Sequence, residues 1–366
     1  MGGGHLQIAR ELERRLRDRG HQTLLVDQLT VMPGPTGRWL GRIYLWLVNS
    51  TPRLYQWVYE TFFLARQNGG ERAGIPVRLA LSGLRRVVDE FRPDLAVSTY
   101  PLCSLALGEL RRRGELACPA VTVVTTFSVN YLWLHPGVDL ELCISGPAAE
   151  DVACRTGRHA AVCGPVVRNA FWERAGDGAG VRADLGIDGD RHLALVTTGS
   201  MGLVGDAVTA AEAIARLPGW VPVVLCGHSD ALAERLADVE GVVVVDWSDD
   251  MPSMMAAADV LVDNNCGMAA KEALACGLPI ITFRPISGHG RDDTDALAGL
   301  GLTDRVEDVP GLRAALDRIL NDPRCRRERE ARGRALFVAD AAEMLEGVAA
   351  QTDARAAAQT AAQTSN

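Results

Sequence analysis

Two titratable side chains stand beside glycine-rich backbone, where a ligand can come close. The first is Glu272, within VLVDNNCGMAAKEALACGLPIITFRPISGHGRDD over residues 260–293. The second is His5, directly after Gly2-Gly3-Gly4. A helix N-terminus offers unpaired N–H groups and a positive dipole end, which attract phosphate. A carboxylate about one turn into such a helix accepts hydrogen bonds from a ribose diol, as acidic residues do in dinucleotide sites. On spacing alone, a surface glutamate on an ordinary helix is the simpler reading of Glu272. Glycine lets the backbone approach a ligand, and imidazole exchanges protons near neutral pH. His5 is therefore a candidate base, with Gly3 and Gly4 as candidate contacts. A terminal histidine without a role is the alternative.

The elements that position Glu272 are legible. Val260-Leu261-Val262 reads as a short buried strand, and Asp263 to Gly267 as a loop. Met268 to Ala275 holds strong helix formers, and Gly277-Leu278-Pro279 stops that helix. Ile280 to Phe283 is a second strand, so the stretch predicts a parallel βαβ unit. Gly199-Ser200-Met201-Gly202 is another glycine turn between a strand (His192–Thr198) and a helix. Gly199, Ser200 and Gly202 could meet phosphate there, although such turns are common in α/β folds.

Further out, the period of Leu6, Ile8, Ala9, Leu12 and Leu16 predicts a helix closed by Gly20, followed by a strand over Thr23–Asp27. A glycine loop that feeds a helix normally follows a strand. None precedes Gly2, so the first strand reads as missing. Strands are also expected near residues 95–99, 117–125, 142–144, 221–226 and 242–246. Residues 172–191 are polar and Gly-rich, which predicts a linker. Residues 348–366, mostly Ala, Gln and Thr, predict a disordered tail.

Several of these motifs resemble the GT-B glycosyltransferases, and within them the group holding monogalactosyldiacylglycerol synthases and the lipid II-forming N-acetylglucosaminyltransferase. The resemblance rests on Gly2-Gly3-Gly4-His5, on Val162-Cys163-Gly164-Pro165-Val166-Val167-Arg168, on Glu272-Ala273-Leu274 and on Gly277-Leu278-Pro279. It implies an α/β fold of GT-B architecture, two Rossmann-like domains facing across a cleft. The implied domains are residues 1–168, joined by a return helix at about 326–347, and residues 190–325.

The resemblance also implies site roles. Cys266, Gly267, Met268 and Ala269 would hold a nucleotide diphosphate, Glu272 the ribose, and Gly288 and His289 the sugar. Trp247 and Met251 would lie against the nucleobase, and His5 would act as base. The chain departs from the pattern at several positions. Ala269 stands where Thr is usual, Thr126 where Asp is usual, Asp293 where Asn is usual, and His289-Gly290 where Gln-Glu is usual. The activity implied is inverting transfer from a nucleotide sugar, with UDP as the expected nucleotide, to a lipid such as diacylglycerol. That donor is a co-substrate, and no cofactor or metal is expected. A hydrolysing nucleotide-sugar epimerase shares the architecture but needs several acids in the first domain. A degenerate, non-catalytic GT-B binding protein is the third reading.

Composition narrows the partners. The net charge of −8 argues against a general nucleic-acid binder. The charge is uneven: residues 1–115 hold 17 Arg against 11 Asp and Glu, a net of +6, which leaves −14 on the remainder. Trp39, Trp46 and Trp57 are interleaved with Arg38, Arg42 and Arg53. That mixture suits an anionic membrane surface, and a buried helical pair explains it as well. Nine cysteines without a C-x-x-C pair point to reduced thiols, and no run of 18 apolar residues exists. The expected location is cytoplasmic, peripheral at the inner face of the membrane.

Overall fold

The structure is a computed structural model that describes residues 3–58, 60–61, 74–172, 177–197 and 204–364. It divides into two compact units. Gly3–Val166 and Phe337 onward make the first, and Val167–Leu336 the second.

The first unit is built on a four-stranded parallel sheet in the order β1-β2-β3-β4 (Ala96–Ser98, Ala120–Val124, Leu140–Cys143, Ala161–Val162). Helix α1 (Gly3–Asp18) precedes these strands and buries Ile8 and Leu12. Helices α2 (Thr36–Ser50) and α3 (Pro52–Val58) follow it. Then α4 (Ile75–Phe91) and α5 (Pro101–Arg112) pack against each other, with Val77, Leu81, Leu84, Leu105 and Leu110 in one apolar cluster. A sixth helix, α6 (Gly146–Thr156), is capped by Ser145, whose Oγ accepts from the Ala148 N–H.

Thr23–Asp27 does not form the expected strand. A β-strand exists through its ladder, and this segment has none among the described residues, with Leu24 left exposed. β-type side chains alone do not make a strand.

The second unit carries a six-stranded parallel sheet in the order β10-β9-β8-β5-β6-β7. Its strands are β5 (His192–Thr197), β6 (Trp220–Leu225), β7 (Val243–Val245), β8 (Val260–Asp263), β9 (Ile280–Phe283) and β10 (Thr303–Val306). Helices α8 (Val204–Ala215), α9 (Asp230–Leu236), α10 (Met251–Ala257), α11 (Met268–Cys276) and α12 (His289–Gly299) connect them, with α7 (Gly178–Asp184) before the first strand and α13 (Val309–Asn321) after the last. Strands β5, β6, β8 and β9 are buried on both faces, as a helix-covered parallel sheet requires. From β5 the chain goes to β6 on one side and later to β8 on the other. The carboxyl ends of β5 and β8 therefore bound the switch point where ligands bind in doubly wound sheets.

Three boundaries differ from the sequence expectation. Part of the stretch read as a linker is α7: Asp177 caps it, and Arg182 Nη1 donates to the Ala257 carbonyl on α10 at 2.7 Å. The return to the first unit begins at Phe337 rather than near 326. Helix α14 (Pro323–Ala335) stays with the second unit, where Arg329 pairs with Asp304 at 2.7 Å. Helix α15 (Ala341–Thr364) runs through most of the segment expected to lack order, because Ala and Gln are strong helix formers even without an apolar stripe. Arg15 and Arg19 of α1 pair with Asp340 and Glu346 beside and on it.

Candidate functional site

In the first unit the site forms at the carboxyl ends of β1 and β2. His5, on the first turn of α1, has Nδ1 2.9 Å from the Thr99 carbonyl and 3.0 Å from Thr125 Oγ1. Thr99 Oγ1 donates back to the His5 carbonyl at 3.1 Å. A carbonyl only accepts, so Nδ1 carries the proton and Nε2 is the basic nitrogen. The ring packs edge-on against Tyr100 at 5.3 Å and lies 5.9 Å from the Trp133 ring. Thr99, Tyr100 and Thr125 were not legible as site residues, since each is an ordinary strand-end residue in the sequence. Gly3 and Gly4 lie on the first turn of α1 beside His5.

Three other polar residues of the first unit, Thr126, His135 and Asp139, bond within that unit. Thr126 Oγ1 donates to the Ser128 carbonyl at 2.6 Å and closes a turn. His135 Nδ1 accepts from the Gly137 N–H at 3.0 Å, while Nε2 faces Glu109 at 3.5 Å. Asp139 accepts from the Ala120 N–H and from Arg111.

In the second unit the loop between β8 and α11 is tied by its own side chains. Asp263 Oδ2 accepts from the Cys266 N–H at 2.9 Å, and Asn265 Oδ1 accepts from the Gly267 N–H at 2.8 Å. Cys266 takes φ +49°, a left-handed conformation uncommon outside glycine, and its buried thiol lies between Thr282 and Thr294. Gly267 caps α11 without a side chain. The N–H groups of Met268 and Ala269 thus open the helix at the carboxyl edge of the sheet.

Glu272 follows one turn on and is buried, not a surface residue. Burial raises its carboxyl to about 7, with Arg168 and Lys271 pulling the other way. Asp263 is raised to about 6, again by burial. Arg168, read from sequence as the end of the first domain, belongs to the second unit and faces this carboxylate.

Gly288 caps α12 at φ +75°, ψ −131°, a conformation suited to glycine alone. His289 follows, half-buried, and burial lowers it to about 4, so the ring is neutral at physiological pH. Trp247 stacks on His228 at 4.6 Å with 4° between the planes, and Nε1 donates to Asp249. Met251 opens α10 behind it. Gly199, Ser200 and Gly202 lie outside the described residues. Among the described residues, no three His, Cys, Asp or Glu side chains gather as a metal site.

The structure exposes both tryptophans of α2. Trp39, Ile43 and Trp46 recur at i, i+4, i+7 and are 60%, 51% and 54% exposed, with Arg38 and Arg42 exposed beside them. These three apolar side chains are therefore not part of the core of the first unit. No helix among the described residues is long and apolar enough to cross a membrane.

Comparison with known proteins fits both halves. The family model for monogalactosyldiacylglycerol (MGDG) synthase matches residues 5–167, and that for glycosyl transferases group 1 matches residues 195–322. The processive diacylglycerol beta-glucosyltransferase of Bacillus subtilis (strain 168) is 22% identical over 304 residues, covering 80% of this chain and 78% of that protein. Its counterpart from Bacillus mycoides (strain KBAB4) is 22% identical over 331 residues, covering 88% and 84%. Among solved structures, the glycosyltransferase SnogD from Streptomyces nogalater aligns with a TM-score of 0.60 at 19% identity, over 93% of this chain and 94% of that one. MurG of Acinetobacter baumannii aligns with a TM-score of 0.57 at 14% identity, over 95% and 96%.

Proposed function

We propose that this chain, a glycosyltransferase of GT-B architecture, moves a hexose from a UDP-sugar to a lipid acceptor such as diacylglycerol, with inversion at the anomeric carbon. The lipid half of the reading is carried by one observation. The domain that matches MGDG synthase presents an exposed Trp39–Ile43–Trp46 ridge flanked by arginines. Amphipathic aromatic residues with neighbouring Arg seat at headgroup level on an anionic bilayer. The related diacylglycerol beta-glucosyltransferases support the same acceptor class. The protein then works as a peripheral protein at the inner face of the membrane.

Each step has a residue to serve it. The acceptor hydroxyl attacks the anomeric carbon and gives its proton to Nε2 of His5, whose tautomer is set by the Thr99 carbonyl. The bond from that carbon to the diphosphate breaks, and the electron pair leaves with the diphosphate. The opening N–H groups and dipole of α11 take up that charge. Glu272, as carboxylate, accepts from the ribose hydroxyls. His289 is neutral and meets a sugar hydroxyl without competing for the proton. Trp247, stacked on His228, offers a flat face to the base.

The test is radiolabelled UDP-glucose or UDP-galactose with mixed-lipid vesicles containing diacylglycerol. A labelled glycolipid of β configuration supports the reading. Release of a free, altered sugar supports a hydrolysing epimerase, and binding without turnover supports a non-catalytic protein.

A further inference from the structure

Lys271 is the single lysine among the 38 Lys and Arg residues of the chain, and it is buried, 4% exposed, on α11. Helical side chains lean toward the N-terminus of their helix. Its stem accordingly runs back toward the loop, and Nζ donates to the carbonyl oxygens of Cys266 at 3.1 Å and Gly267 at 3.2 Å. This position opposes two electrostatic preferences. Burying an ammonium is costly, and the helix end beneath which it sits already carries partial positive charge. Burial does lower its proton affinity, while Asp293, Asp263 and Glu272 favour the charged form.

A second observation points to a ligand at the same loop. Asn264 is almost fully buried at the end of β8, and neither Oδ1 nor Nδ2 has a hydrogen-bond partner among the described residues. Buried amides are nearly always satisfied, and exceptions call for a cause. The loop thus combines a buried cation, a positive helix end and an unpaired amide at the switch point of the sheet.

We infer that Lys271 is the positioning residue for the donor diphosphate, holding the Cys266–Gly267 backbone so that the first N–H groups of α11 face the phosphates, and adding positive charge behind them. This rests on the second unit being a nucleotide-sugar site. Lysine fits here where arginine does not. A compact ammonium reaches two carbonyls of one tight turn, whereas a guanidinium fork needs a flat, wider partner. The charge acts on phosphate and not on the nucleoside, which separates this role from a merely structural one.

The experiment is calorimetry on the full chain and on Lys271→Met with three probes: UDP, UMP and uridine. Lys271→Met should weaken UDP by about tenfold or more and UMP by less, with uridine unchanged. In turnover the loss should fall on kcat as well as on donor KM, since charge builds on the diphosphate as the sugar leaves. Lys271→Gln, a polar replacement of similar reach, covers the case in which the methionine variant does not fold. An equal loss for all three probes, or no loss for UDP, overturns the inference while leaving the nucleotide site in place. Failure of the unaltered chain to bind UDP overturns the nucleotide-site reading, and this inference with it.

Discussion

Nδ1 of His5 lies 2.9 Å from the carbonyl oxygen of Thr99. This single hydrogen bond decides which ring nitrogen is basic, and the edge-on Tyr100 ring keeps the imidazole in place. The expected consequence is a catalytic defect without a binding defect. His5→Ala should lower kcat by roughly 100-fold or more, within the range for a general base, and leave UDP affinity in the second unit unchanged. Steady-state kinetics alongside calorimetry checks both. A kcat within a few-fold of the parent removes His5 from the mechanism.

Glu272 should link nucleotide binding to pH. Its carboxyl titrates at about 7, raised by burial above its ordinary 4.5. The carboxylate accepts from both hydroxyls of a ribose diol with charge assistance, whereas the protonated form turns one oxygen into a donor, so UDP affinity should rise as pH climbs from 6 to 8. Glu272→Gln should flatten that profile and weaken UDP by ~1–3 kcal/mol at pH 8, the usual loss for a charge-assisted bond to a buried partner.

The same shift has a stability sign. A carboxyl raised on folding contributes stability that is full below its unfolded value near 4.5 and is lost as pH rises through about 7. Glu141, raised to about 7 by burial against the pull of Arg158, adds in the same direction. The ligand-free protein should therefore melt higher at pH 5.5 than at pH 8. Glu272→Gln and Glu141→Gln should each reduce that difference, read by differential scanning calorimetry. A melting point that rises from pH 5.5 to 8 contradicts this account.

The exposed ridge on α2 should bind vesicles without holding up the fold. Trp39→Glu with Trp46→Glu should cost no more than ~0.5 kcal/mol of stability, as exposed positions usually do. Co-sedimentation with anionic vesicles should fall sharply, and binding by the unaltered chain should weaken with salt. Equal binding to neutral and acidic vesicles speaks against the arginine-flanked ridge as the contact.

Gly288→Ala should cost ~1–3 kcal/mol, because φ +75° with ψ −131° is strained for any residue with a Cβ. Since Gly288 aims His289, donor turnover should fall more than UDP affinity. Urea denaturation and kinetics read the two effects separately.

The βαβ unit around Glu272 was readable because each signal there is local: an apolar run, a loop, helix formers, then Gly277-Leu278-Pro279. Thr23–Asp27 has strand-type residues too, yet a strand needs a neighbour that no local pattern reveals. Helix α7 hid within Gly-rich composition because its support is tertiary, from Arg182 to the Ala257 carbonyl. Thr99 and Thr125 became site residues only when the fold brought them to His5. Lys271 is the only lysine in the sequence, which by itself says no more than composition does; its burial comes from the loop it reaches back to hold.

Finally, the first unit is assembled from both sides of the second in the chain. Its α1 pairs with α15 through Arg19 and Glu346 at 2.8 Å, and the whole of Val167–Leu336 is translated between them. Domains usually complete themselves in the order of synthesis. Here the order inverts: the later unit is continuous and closes first, while α1 emerges early and waits on the ribosome for a partner some 320 residues downstream. The ion pair that ties α1 to α15 thus forms late, and that interval is when the nascent chain is most open to chaperones.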